Sequence, residues 1–237
     1  MSHYMRAVSR DERDERRYRT LLATLRGFLP MIEGQAVLDF GCAHATSVCA
    51  LLELGARRVI GIEPDLERVE MGRKLLAALG AEERAEILHL PDTRRLPFPD
   101  RSFRTVIANA VLEHIPQPRE VYIRELWRVV GIGGHLIVNE TPNKYLPLDF
   151  HTTGLWGVPW LPKELARRYA LWRGFDRGED WDHSGWRGLG HYELVAPLSD
   201  YTLLPELSRP RHRRLQRLGL PTTLLDPYPT WVLRRDA

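Results

Sequence analysis

The 237-residue chain holds two cysteines, Cys42 and Cys49, too few for a disulfide framework. Both fall in one short stretch, so they read as small buried side chains rather than a bridge or a metal pair, and a reducing, cytoplasmic setting is the expectation. Lysine is scarce as well: Lys74, Lys144 and Lys163 are the only ones among 34 basic residues. No apolar run approaches the ~18 residues that would mark a membrane-spanning helix. Where a secretory leader would be apolar, the chain reads SRDERDERRYR. The formal charge of +3 is mild, and the one basic concentration, Arg209 to Arg217, reads as a solvated helix face or an anion-facing patch. No nucleic-acid-binding signature accompanies it, so nucleic acid is not an expected partner. A G-x-S-x-G elbow is missing, which excludes that route to a hydrolase. Asp149 and His151 find no further ligands at diagnostic spacing, so no metal site is expected.

What is present begins at residues 36–45, AVLDFGCAHA. An apolar, β-branched run of this kind is the signature of a buried parallel strand. It ends at Asp39 and turns on Gly41, where the absent Cβ lets the backbone approach a ligand. The next apolar run, VIGIE, ends on Glu63. The distance from Asp39 to Glu63 fits one strand–helix–strand unit, and a carboxylate ending the second strand can accept from two ribose hydroxyls. The nicotinamide fingerprint G-x-G-x-x-G shares this logic, but Ala43 and Ala45 stand where glycines would be expected.

Along the chain, apolar residues at helical spacing predict a helix from Asp11 to Leu29, ended by Pro30 and Gly34. Strands are predicted at 36–40, 59–63, 86–90, 105–109 and 135–140, with helices to Leu54, over 66–79 and over 118–130 between them. That alternation calls for a doubly wound, mostly parallel α/β sheet. After Thr141 the alternation stops. Residues 142–201 carry eleven of the chain's aromatics with Pro and Gly between them, and read as a lid packed over the carboxyl edge of the sheet. The tail 230–235 reads as a last, antiparallel strand, and the whole chain 1–237 as one domain.

Residues 96–116, LPFPDRSFRTVIANAVLEHIP, followed by RELWRVVGIGGHLIV, resemble the large methyltransferase group that includes ubiquinone and menaquinone biosynthesis enzymes. With the first two strands, the chain from about 30 to 140 is similar to class I S-adenosylmethionine (SAM)-dependent methyltransferases of the type 11 kind. Arg104 stands where that group most often has Asp, Ile132 where its glycine turn has Pro, and Ala43 and Ala45 where its loop prefers Gly.

The resemblance implies a Rossmann-like fold and SAM as cofactor. It places Asp39, Gly41 and Asn109 beside the methionine part of the donor, Glu63 on the ribose with Asp65 flanking it, and Asp92 and Thr93 at the adenine. In-line methyl transfer demands alignment, and a hydroxyl acceptor also needs a base. His114, past the fourth strand, and His151, in the lid beside Asp149, are the candidates. Asp149 would orient His151. O-methylation of a small acceptor (a sugar, glycan or aromatic natural product stacked on tryptophans) is the expectation. C-methylation of a quinone-like lipid and a non-catalytic SAM-binding protein are the alternatives. The acceptor's identity and the oligomeric state are not legible in the sequence.

Overall fold

The computed structural model describes residues 2–8, 11–176, 178–204 and 226–237; the basic stretch 209–217 lies outside them. Seven strands form one sheet: β1 Ala36–Phe40, β2 Arg58–Glu63, β3 Ala85–His89, β4 Phe103–Asn109, β5 Val130–Asn139, β6 Tyr201–Leu203 and β7 Trp231–Arg235. Their spatial order is β3-β2-β1-β4-β5-β7-β6. Pairing is parallel from β3 through β5, and β7 runs antiparallel to both β5 and β6. The order reverses between β1 and β4, and the crevice beyond their carboxyl ends is where an open α/β sheet takes a ligand.

The helices are α1 His3–Val8, α2 Glu12–Leu25, α3 Leu29–Ile32, α4 Thr46–Glu53, α5 Leu66–Ala78, α6 Glu120–Val129, α7 Lys163–Trp172 and α8 His191–Val195. One face of the sheet packs on α1–α5 through Val37, Val48, Val69 and Ile107. The other packs on α6 and α8 through Leu38, Val106, Leu126 and Leu194. The sheet is thus covered on both sides, which is why its strands read as unbroken apolar runs.

The predicted first helix is real but ends earlier. Asp11 caps α2 by accepting from the Arg13 and Asp14 backbone N–H groups, a 3-10 turn follows at Arg26–Phe28, and Pro30 sits in the first turn of the short α3. Proline is tolerated there because the first helical N–H groups have no partner to lose. On α2, Tyr18, Leu22 and Leu25 are buried, and the Tyr18 hydroxyl donates to Glu53 on α4 at 2.9 Å. β5 also begins before its expected start, running through the glycines with a register shift opposite Phe103–Thr105.

Residues 143–200 form α7, α8, two 3-10 turns and a small core of Leu155, Val158, Ala166, Ala170, Trp181 and Trp186. Tyr201, the last residue of the expected lid, belongs instead to β6. The buried Arg119 clamps this segment to the sheet edge: its guanidinium donates to the carbonyls of Gly188, Glu113 and Ile115 and pairs with Glu193. Gly188 bonds beside Pro142, where an added Cβ would come within 2.2 Å of the Pro142 carbonyl oxygen, and its φ is +64°. Gly188→Ala is therefore expected to destabilise the fold by at least the ~1–2 kcal/mol of a left-handed L-residue, read as a lower urea midpoint; an unchanged midpoint would contradict this attachment.

Candidate functional site

The loop after β1 is built by β2. The Ile62 carbonyl accepts from the N–H groups of both Gly41 and Cys42, and the Glu63 carboxylate accepts from the Ala43 N–H at 2.9 Å and the Asp65 N–H at 3.2 Å. Gly41 has φ +78° and lies so close to Val111 that a Cβ would meet its methyls at 2.6 Å. Ala43 and Ala45 adopt φ of +44° and +65°. The loop thus keeps a left-handed backbone with alanines in it, at ~1–2 kcal/mol each. The Ala45 methyl does not narrow the ligand space: it is fully buried, next to Gly72 of α5, where a Cβ would approach it to 3.2 Å.

These features fit the donor the sequence implies. Each oxygen of Glu63 uses one of its lone-pair positions on a backbone N–H, which leaves the others for ribose hydroxyls. Asp39 is 1% exposed and accepts from the Ser47 hydroxyl at 2.5 Å. Burial pushes its carboxyl up to about 6, against the Ser47 hydrogen bond, and the nearby Glu63 adds to the rise. A positive charge placed beside such a group is stabilised by it. Asn109, ending β4, is fixed by a hydrogen bond from the Asn139 amide at 2.7 Å.

Two expected donor contacts are occupied otherwise. Asp65 caps α5 by accepting from the Arg68 N–H, so its carboxylate serves the helix. Asp92 is exposed and bidentate to Arg94, which holds its carboxyl down to about 2. Thr93 follows it in the loop after β3, with its side chain half-buried.

A cleft of about 910 Å³ opens beside Thr46, Asn109 and Ala110 and reaches Glu140, His151 and Tyr228. Its other wall is α2, through Arg13, Arg16, Arg17, Thr20, Leu21 and Thr24. Of the segment expected as a lid, His151 alone of the described residues lines it, and no described tryptophan does. Trp181 and Trp186 stack in the segment's own core, while Trp156, Trp160 and Trp172 are more than half exposed. In place of the expected aromatic stacking platform, three arginines stand on a cleft wall that also holds Thr20, Leu21 and Thr24.

The two histidines converge, their ring centroids 5.3 Å apart. His114 directs Nδ1 at the His183 carbonyl, 2.5 Å away. That bond fixes Nδ1 as the protonated nitrogen, so a loop carbonyl holds His114. The Asp149 carboxylate accepts from the backbone N–H groups of His151, Thr152 and Thr153, and this cap aims the turn that carries His151.

The acid near the imidazoles is Glu113, which sequence reasoning did not single out. It is fully buried; one oxygen accepts from Thr141 and the other, Oε1, has no hydrogen-bond partner. Desolvation raises its pKa. Ligand atoms of Glu113, His114 and His151 lie within 4.8 Å of one another, so this trio, rather than Asp149 with His151, is the place where a cation could sit. The arginines of α2 and Tyr228 were missed too; the signal for the arginines was their recurrence on one helical face.

Residues 38–138 match the family profile described as a methyltransferase domain. Over that stretch the chain is similar to SAM-dependent methyltransferases. It is 30% identical over 116 residues to 27-O-demethylrifamycin SV methyltransferase of Amycolatopsis mediterranei, covering 49% of this chain and 42% of that protein. To 2-methyl-6-phytyl-1,4-hydroquinone methyltransferase of Synechocystis it is 28% identical over 195 residues, 65% of this chain and 59% of that one. Among solved structures, a SAM-dependent methyltransferase from Mesorhizobium loti shares the fold with a TM-score of 0.57 at 18% identity, covering 90% of this chain and 96% of that one. The chain spans between 33% and 42% of the first curated relatives it matches. No helix among the described residues is long and apolar enough to cross a membrane.

The elevated Asp39 carboxyl gives a signed expectation. Its folded value of about 6 lies above the ordinary carboxyl value of 3.8, so between those values the folded state holds more protons than the unfolded one, and stability falls as pH rises through that window. Two pKa units are worth about 3 kcal/mol. Asp39→Asn should stabilise the ligand-free protein at pH 7.5 by up to about that much and change little at pH 3.5, read by thermal unfolding. Destabilisation at pH 7.5 would contradict the desolvation argument.

Proposed function

We propose that the chain transfers the methyl group of S-adenosylmethionine to a hydroxyl of a small molecule bound in the α2-lined cleft. The observation that carries this reading is the cleft itself, which joins Asn109 and Thr46 at the switch point of the sheet to the His151 side chain. Glu63 would hold the ribose hydroxyls, Asp39 and Asn109 the methionine end, and the Gly41–Ala45 backbone the space between. When bound, the donor supplies an electrophilic methyl group on a sulfonium. The protein's own work is to align the acceptor oxygen and to take its proton, since an alcohol ionises well above neutral pH.

His151 is the residue assigned to that proton, because it faces the cleft and the Asp149-capped turn fixes its backbone. His114, engaged with the His183 carbonyl, is assigned to positioning the loop. The acceptor class is a polar small molecule such as a sugar, glycan or aromatic natural product. A relative acts on a rifamycin precursor by its name and another on a phytylated hydroquinone; the cationic wall of this cleft favours the polar acceptor over a prenylated ring.

Two substitutions test the two halves of this reading. Glu63→Ala should weaken SAM binding roughly tenfold or more, since hydrogen bonds to a charged group contribute about 1.5–3 kcal/mol each; calorimetry showing unchanged affinity would remove the ribose assignment. His151→Ala should lower turnover on the true acceptor about 10²-fold or more while leaving SAM affinity intact. Full turnover in that variant would remove the base assignment.

A further inference from the structure

Helix α2 carries three distinct faces. Tyr18, Leu22 and Leu25 are buried against the domain. Glu12, Glu15 and Arg19 lie on one flank of that face, where Arg19 and Glu15 form an ion pair. On the remaining, exposed side Arg13, Arg16 and Arg17 line the cleft, followed on the same stripe by Thr20, Leu21 and Thr24. The spacing i, i+3, i+4, i+7, i+8, i+11 is that of one continuous helix surface.

No salt bridge of the Arg13, Arg16 and Arg17 guanidinium groups occurs among the described residues, although acids lie near them along the helix: Glu12 stands four residues before Arg16, Asp14 three before Arg17, and the charges of Arg13 and Arg17 help to lower the pKa of Asp11. Asp14 has a partner of its own. Across the cleft the acid is Glu140, also engaged in an interaction of its own. Three like charges within two turns repel one another at i, i+3 and i+4. On α6, by contrast, Arg124 pairs with Glu120 and Arg128 with Glu125.

The position is also held firmly. Glu53 of α4 accepts from Tyr18 at 2.9 Å and from Ser2 at 2.6 Å, so the buried face locks the cationic face over the cleft. Guanidinium groups suit carboxylate and phosphate oxygens because their planar fork presents paired donors.

We propose that Arg13, Arg16 and Arg17 form an anion-binding rail that holds a phosphate or carboxylate group of the methyl acceptor, so that the substrate class is an acidic or phosphorylated small molecule. This rests on the methyltransferase reading above for its use of the cleft, and adds the recognition of a second, non-reacting part of the substrate. Binding energy from that remote group fixes the register of the hydroxyl at His151.

The donor's own carboxylate is a second source of the same chemistry, so the test has two arms on the full-length protein. Pyrophosphate and S-adenosylhomocysteine are titrated separately by calorimetry at constant chloride ionic strength, against wild type, the triple variant R13Q/R16Q/R17Q, and R19Q on the flank as a control. The expected result is saturable pyrophosphate binding to wild type and R19Q, weakened roughly tenfold or more in the triple variant, with S-adenosylhomocysteine affinity unchanged. Pyrophosphate binding that is absent from wild type, or equal in the triple variant, overturns the proposal. A loss confined to S-adenosylhomocysteine assigns the rail to the donor's carboxylate and likewise overturns it. Failure of wild type to bind S-adenosylhomocysteine counts against the methyltransferase reading and leaves the pyrophosphate arm to decide the rail. The three side chains are exposed, and circular dichroism of the triple variant verifies that it folds.

Discussion

The carboxylate of Glu63 is the contact on which the site depends. It stands at the end of β2, 4% exposed, and accepts from the backbone of the loop after β1 on one oxygen and from its own following turn on the other. Without that tie, a loop with alanines at φ +44° and +65° would relax toward right-handed backbone, which is lower in energy for an L-residue. The same group therefore shapes the loop, and under the proposed function its remaining lone pairs are the ones that would meet the ribose. Strain held this way persists because the surrounding bonds over-determine it: the Ile62 carbonyl takes two N–H groups, the Glu63 carboxylate takes a third, and Ala45 is locked into the core.

The acceptor side is organised by two further anchors. Glu53 fixes α2 through Tyr18, and Arg119 fixes the 143–200 segment through three carbonyls and Glu193. Burying a guanidinium costs unless it is paired and hydrogen-bonded, and Arg119 is held by carbonyl oxygens from both sides of the junction and by Glu193. The cleft between these anchors is consequently set by polar pairs at its margins, and its lining is left to arginines, threonines and one imidazole. Glu113, buried with one oxygen lacking a hydrogen bond, lies against the two histidines, its Oε1 3.9 Å from His114 Nε2.

Much of this was legible in the residues. The run AVLDFG, the carboxylate of VIGIE and the glycine turn before HLIV reported strands and their order, because buried parallel strands leave little room for other patterns. The places of Asp39, Gly41, Glu63 and Asn109 in the fold were legible for the same reason: each lies at or just past the carboxyl end of a strand. Residues whose roles depend on a partner chosen at short range were not. Asp65 and Asp92 were read as ligand contacts, but one caps its helix and the other closes on Arg94 two residues away, choices that loop geometry makes. The tryptophans were read by composition as a stacking surface, whereas packing divided them between a private core and the exterior. Asp149 lies beside His151 in sequence yet spends its oxygens on backbone. The neighbour that matters, Glu113, comes from another strand end.

The central claim is that the loop 41–45 and the end of β2 together form the donor site. Hydrogen–deuterium exchange of the full-length protein with and without S-adenosylhomocysteine tests it most directly. The expected result is slowed exchange in peptides covering Gly41–Thr46 and Glu63–Leu66, with the distant α7 unchanged. Exchange in those two peptides that is identical with and without saturating ligand would contradict the account.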